Sequence, residues 1–313
     1  MHRNNRFEKQ GDKLLKMPGK LDRGPVDFKS RMAEKESNIL ALGSRDVISV
    51  PPTTTILGAI GTMTAHGFRR LPVSDPGTKK IKGIVTAGDV IDFMGGGSRY
   101  NLVQVKHKGN LIAAINESIR EIMTQNLTTV DVYDSITDVV TTIIETGIGG
   151  LPIVDEDDVL QGIITERDVL RILTHERSDL HVENIMSTSL HVTSPESPLG
   201  AATKEMVTHQ IRRLPVVSDD VLIGMITASD VMKFIGGGGA FNNLLTGDVA
   251  DIMNLPVREL IDGTMHTTIP EEGINRVAQE MLDKNVGALP VIENSRIIGL
   301  VTEYDCVKAL VER

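Results

Sequence analysis

Between residues 127 and 173 the apolar positions change period in a fixed order. Leu127 to Val132 is β-prone, and then Ile136, Val139, Val140, Ile143 and Ile144 fall at i, i+3, i+4, i+7 and i+8, one face of a helix. Gly147 follows, near where that helix would end. Two short apolar runs, Leu151 to Val154 and Leu160 to Ile164, flank Asp155-Glu156-Asp157-Asp158 and predict a hairpin. Thr165 and Asp168 then open a second helix over Val169 to Leu173. The order is β-α-β-β-α. Ile274, Val277, Ala278, Met281 and Leu282 repeat the helical face near the end of the chain, with Gly287 placed to end it. One such unit of about 55–60 residues is marginal in core size, so units are expected to pair through sheet and helix faces.

The unit occurs four times. Leu-Pro followed by Val or Ile stands at Leu71-Pro72-Val73, Leu151-Pro152-Ile153, Leu214-Pro215-Val216 and Leu289-Pro290-Val291. Each leads into an apolar run and Thr-x-x-Asp: Thr86 to Asp89, Thr165 to Asp168, Thr227 to Asp230, Thr302 to Asp305. From Pro to Asp the separations are 17, 16, 15 and 15 residues, too regular for chance. A longer period joins units one and three. Arg69-Arg70-Leu71-Pro72 recurs as Arg212-Arg213-Leu214-Pro215, and Gly95-Gly96-Gly97 with Tyr100-Asn101 recurs as Gly236-Gly237-Gly238 with Phe241-Asn242. Units two and four have Gly149-Gly150 and Gly287-Ala288 where the odd units have Arg-Arg. The simplest account is a module of two unlike units, tandemly duplicated.

Composition narrows the class. With 313 residues, 40% apolar and 24% charged, the chain reads as a soluble globular protein of more than one domain. Aromatics are 3% with no Trp, so a stacking surface for single-stranded nucleic acid is not expected. One cysteine, Cys306, excludes an internal disulfide and fits a reducing compartment; it sits in an apolar helix and reads as core. No apolar run is long enough to span a membrane and no signal-peptide pattern opens the chain, so a cytoplasmic location is expected. The net charge is −9, but residues 1–36 carry ten Lys/Arg against six Asp/Glu. Residues 1–37 are therefore expected to form a flexible basic extension on an acidic body poorly suited to DNA.

Thr-x-x-Asp before an apolar run is a capping box: the Thr oxygen accepts a backbone N–H while the acid accepts the cap N–H. The usual box partner is Glu or Gln, yet all four units use Asp. The same geometry also serves a ligand, because a helix N-terminus offers N–H groups and the positive end of its dipole to a phosphate. The Arg pairs suit that anion, since the planar guanidinium fork binds phosphate oxygens two at a time. The plain alternative for them is solvated surface charge. Gly95 to Gly97 and Gly236 to Gly239 lack the Gly-Lys-Ser/Thr of a phosphate loop and are expected to be flexible linkers. The eight histidines show no ligand spacing on a predicted helix, so no metal is expected.

The helix, the Leu-Pro-Val strand and the strand-turn-helix ending in Thr-x-x-Asp, four times in register, resemble CBS domains, whose units pair as Bateman modules. With Arg-Arg-Leu-Pro-Val and the Gly-tract-Tyr-Asn element, the chain is similar to archaeal stand-alone four-CBS proteins and, more distantly, to the γ subunit of AMP-activated protein kinase. The resemblance covers about residues 38–313. It implies an α/β (α+β) fold of four β-α-β-β-α units in two Bateman modules forming a compact disc. The units would be CBS 1 at 38–97, CBS 2 at 118–175, CBS 3 at 182–238 and CBS 4 at 256–313, with linkers at 98–117 and 239–255. It also implies that Asp89, Asp168, Asp230 and Asp305 hold a ribose, that Thr86, Thr165, Thr227 and Thr302 lie near phosphates, and that Arg69, Arg70, Arg212 and Arg213 point to a central region where phosphates converge. Units two and four lack the pair, so their sites would use Arg from neighbouring units or stay empty.

The function so implied is a regulatory module sensing AMP, ADP or ATP and acting on a protein partner, with homodimerisation open. The alternative is an interaction scaffold, or a sensor of another adenosyl ligand such as S-adenosylmethionine. The Arg pairs separate the two ligand classes, because a cationic sulfonium would be repelled where phosphates would be held. The repeats take up almost the whole chain, so no enzyme activity is expected.

Overall fold

The computed structural model describes residues 39–175, 178–219, 221–261 and 265–309, so the expected basic extension lies outside the described residues. Unit one comprises α1 (Ile56–His66), β1 (Arg70–Ser74), β2 (Ile81–Thr86) and α2 (Ala87–Ile91). Unit two comprises β3 (Val130–Asp131), α3 (Ile136–Thr146), β4 (Gly150–Val154), β5 (Leu160–Thr165) and α4 (Glu166–Leu173). Unit three comprises α5 (Leu199–Thr208), β6 (Arg213–Ser218), β7 (Val221–Thr227) and α6 (Ala228–Gly236). Unit four comprises α7 (Ile274–Asp283), β8 (Ala288–Glu293), β9 (Arg296–Thr302) and α8 (Glu303–Lys308). In every unit the two long strands form an antiparallel hairpin that carries the Leu-Pro motif opposite the run leading to Thr-x-x-Asp.

The first strand of the pattern is reduced in three units, and proline explains why. Val130 and Asp131 pair in parallel with β4, and Val132 continues the ladder by donating its N–H to the Val154 carbonyl at 3.0 Å. In units one, three and four the pairing shrinks to single parallel bridges, Val50 with Val73, Thr193 with Val216 and Thr268 with Val291. Two residues after each bridge stands Pro52, Pro195 or Pro270, which has no N–H to extend it.

Hairpins join units within a module, and helices join the modules. Ile84 and Thr124 exchange two backbone hydrogen bonds between units one and two, as Ser187 and Leu300 do between units three and four. Across the modules α6 packs on α1 and α2, while α8 packs on α3 and α4 and α7 packs on α4. The units thus form a ring in the order one, two, four, three. A single apolar core runs through units one and three, from Ile60, Leu71 and Phe93 to Leu214, Val231 and Ile235. Val307 of unit four is buried in the core of unit two, and Leu170 of unit two in that of unit four. Cys306 lies wholly buried in the core of unit four, and burial pushes its thiol up to about 12.

Two expectations about glycine are corrected. The Gly tracts are contact points between helices. A Cβ on Gly96, in the wide turn Asp92–Gly96 that follows α2, would lie 2.3 Å from Val207 of α5, and one on Gly236 would lie 2.3 Å from Thr64 of α1. Flexibility would defeat that purpose. Gly147 does end α3 in the left-handed region, at φ 67°. Gly287 does not end α7: the helix stops at Asp283 and Asn285 takes the left-handed turn at φ 53°.

Candidate functional site

All four Thr-x-x-Asp motifs form capping boxes at the N-termini of α2, α4, α6 and α8. In each, one carboxylate oxygen, Oδ2, accepts both the Thr backbone N–H and the Thr hydroxyl, at 2.7–2.9 Å. Capping therefore consumes one oxygen, and the fate of Oδ1 separates the four units.

In unit one, Oδ1 of Asp89 meets Arg99 Nη2 at 2.8 Å. Arg99 comes from the turn after the first Gly tract and is fixed there by Asp92 at 3.0 Å, the Ile122 carbonyl at 2.6 Å and Thr124 Oγ1 at 3.1 Å. Burial still pushes the Asp89 carboxyl above its usual range, against the pull of Arg99. In unit two, Oδ1 of Asp168 meets Arg171 at 2.7 Å. No ion pair among the described residues engages Asp230 or Asp305, and each of these lines one of two cavities. Burial pushes the Asp305 carboxyl up as well.

The larger cavity, of about 670 Å³, lies at the centre of the ring and is lined by Thr86, Thr227 and Asp230 together with Arg69, Arg70, Arg212 and Arg213. Lys233 and Lys284 add further positive charge to its wall. The smaller, of about 390 Å³, joins Thr302 and Asp305 of unit four to Arg212 and Arg213 of unit three. Unit four, which has no Arg pair, thus borrows one from its neighbour. Thr165, Asp168 and Asp89 line neither cavity.

Two of the four arginines, Arg70 and Arg213, are drawn out of full solvation, while Arg69 and Arg212 keep about a third or more of their side chains exposed. Arg70 and Arg213 are half-buried, and burial followed by like-charge repulsion, from Arg212 on Arg70 and from Arg69 on Arg213, brings each down to about 10. Facing them are two buried acids that the repeat comparison passed over. Glu303 is 2% exposed and meets Arg69 at 2.7 Å and Arg167 at 2.6 Å. Glu166 is 5% exposed and lies 3.9 Å from Arg212. The signal was present, because the residue after Thr is Ala87 and Ala228 in the odd units but Glu166 and Glu303 in the even ones. Arg-Arg with Ala thus alternates with Gly-Gly/Ala and Glu. The even-unit glycines make room for this exchange: a Cβ on Gly150 would collide with Arg70, and one on Gly149 with Glu166. Five arginines against two glutamates leave the centre positive within an acidic chain, which is the local concentration an anion requires.

An uncharacterized protein of Methanocaldococcus jannaschii, MJ1225, is 40% identical over 267 residues, covering 85% of this chain and 95% of that protein. Its crystal structure, presented as a candidate archaeal homologue of γ-AMPK, matches at a TM-score of 0.84 and 37% identity over 87% of this chain and 99% of that one. A 33.4 kDa protein from the ribosomal RNA operon of Thermofilum pendens is 27% identical over 261 residues, 83% of this chain and 87% of that protein. A conserved protein of Pyrococcus horikoshii shares the fold, with a TM-score of 0.56 at 18% identity over 87% and 99% of the two chains. No helix among the described residues is long and apolar enough to cross a membrane. The sequence model of the CBS domain matches at 40–96, 119–175, 182–237 and 249–312, in agreement with the four hairpin-and-helix units and their capping boxes, and the chain belongs to the CBS domain family.

Proposed function

We propose that this chain is a regulatory module that binds AMP, ADP or ATP and passes its state of occupancy to a protein partner. The carrying observation is that Arg212 and Arg213 line both cavities, each of which also presents a Thr-Asp pair whose Asp is engaged by no ion pair among the described residues. A ribose hydroxyl donating to Oδ1 of Asp230 or Asp305 fills an acceptor position that capping leaves open, at Asp305 restoring solvation that burial removed, and the phosphates then reach the shared arginines. Similarity to a candidate homologue of γ-AMPK supports the same reading. The positive centre disfavours a cationic adenosyl sulfonium.

Calorimetric titration with AMP, ATP and S-adenosylmethionine tests this. Two nucleotides per chain are expected and no sulfonium binding. Asp230→Ala and Asp305→Ala should each weaken one site by roughly 10–100-fold, the loss of a hydrogen bond to a charged group worth about 1.5–3 kcal/mol. Asp89→Ala should leave affinity unchanged. Absence of heat with every nucleotide at millimolar concentration would refute the reading.

Arg99 accounts for the silence of the first site, since it holds Asp89 and Thr124 together. The corresponding position after the second Gly tract is Ala240, which leaves Asp230 open. Arg99→Ala is accordingly expected to add a third nucleotide to the stoichiometry. An unchanged count in a folded variant would show that the pocket at Asp89 is closed by something other than this side chain.

A further inference from the structure

Where His191 joins the lining of the smaller cavity, three side chains that take no part in the proposed nucleotide contacts converge. Glu205 and His209 are four residues apart on α5 and its C-cap, a spacing that places them on one helix face. His191, whose residue lines the cavity, arrives from the segment that precedes the helix. Glu205 Oε1 is 2.8 Å from His191 Nδ1 and 3.3 Å from His209 Nε2. The imidazole rings lie face to face, with centroids 3.9 Å apart at an angle of 34°. One potential ligand atom from each residue falls within 4.8 Å of the other two.

These dimensions match a coordination shell. A tetrahedral ion with bonds of about 2.0–2.2 Å to nitrogen and oxygen holds its ligand atoms about 3.3–3.6 Å apart, so sub-ångström to ångström movements of exposed side chains complete three corners. Without an ion, two imidazoles compete for one carboxylate oxygen. With one, each nitrogen and the carboxylate direct a lone pair at the cation. Two His and one Glu select zinc, cobalt or nickel over magnesium or calcium, which take all-oxygen shells. All three side chains are about one-third or more exposed, which leaves an entry path and a fourth position for water.

We propose that His191, Glu205 and His209 form a binding site for one divalent transition-metal ion of the zinc class. Spacing along the sequence does not mark the cluster, because Glu205 and His209 supply only two ligands at helical spacing and the third is brought in by the fold. The site stands apart from the nucleotide reading and is tested without a nucleotide. The full chain is titrated with cobalt(II) while the visible d–d absorption is followed. One cobalt per chain with the intense band of a tetrahedral site is expected, displaced by an equivalent of zinc and untouched by excess magnesium. His209 lines neither cavity, so His209→Ala tests the cluster alone, and it should weaken cobalt binding at least tenfold, as should Glu205→Gln. Absence of a stoichiometric band in the wild-type chain would overturn the assignment, and so would displacement by magnesium or a band of unchanged affinity in both variants.

Discussion

Glu303→Ala is expected to lower the stability of the folded chain by about 3–5 kcal/mol, the cost of leaving buried charge without its partner. The carboxylate is almost wholly buried and carries Arg69 on one oxygen and Arg167 on the other. Its loss leaves two guanidinium groups in a centre already crowded by Arg70, Arg212 and Arg213. The pH dependence follows from the same contacts. Burial alone would raise the Glu303 carboxyl, but Arg69 and then Arg167 outweigh it and hold the group below its ordinary 4.5. Since the folded value lies below the unfolded one, this stabilisation is present above about pH 4.5 and is lost as pH falls through the folded value. Urea unfolding midpoints should therefore differ strongly between wild type and variant at pH 7 and converge in acid. A variant within about 1 kcal/mol of wild type at pH 7 would show that solvent reaches the arginines and that the pair is not a buried one.

Replacing Arg212 and Arg213 by Ala together should reduce affinity for AMP and ATP by at least tenfold and often a hundredfold, at about 1.4 kcal/mol per tenfold, while leaving adenosine almost unaffected. Arg213 is brought down to about 10 by burial and by Arg69, so it is still charged at neutral pH but held where charge is disfavoured. A phosphate removes that penalty, and adenosine brings no anion. Because both residues line both cavities, the two binding events should weaken together in the double variant. Isothermal titration at 0.15 M salt measures the difference. Equal losses for adenosine and ATP would mean that the arginines hold the hairpins in place and that phosphates bind elsewhere.

The fold was legible because its signals are local and repeated. The apolar face from Ile136 to Ile144, the Leu-Pro strands and the Thr-x-x-Asp boxes each lie within a dozen residues, and four copies in register exclude coincidence. What the sequence hid depends on separation. Arg99 gathers Asp89, Asp92, Ile122 and Thr124 from across two units, and nothing in its neighbourhood marks it as the partner of the Asp89 carboxylate. The Gly tracts carry the composition of a linker, and only the approach of Val207 and Thr64 reveals why a side chain is forbidden there. The antiphase of Arg-Arg/Ala with Gly-Gly/Glu was visible letter by letter. Its meaning required knowing that the odd and even units face one another.

That antiphase bears on how such a chain could arise. Glu303 belongs to the second module and its counterions Arg69 and Arg167 to the first, while Glu166 of the first module faces Arg212 of the second. Neither half is electrically complete by itself, yet each carries the arginine and the glutamate needed to complete a copy of its own kind. The arrangement resembles two like subunits joined end to end, each supplying the acid that the other's arginine meets, with the likeness broken where Arg167 of the first half has Tyr304 as its counterpart in the second.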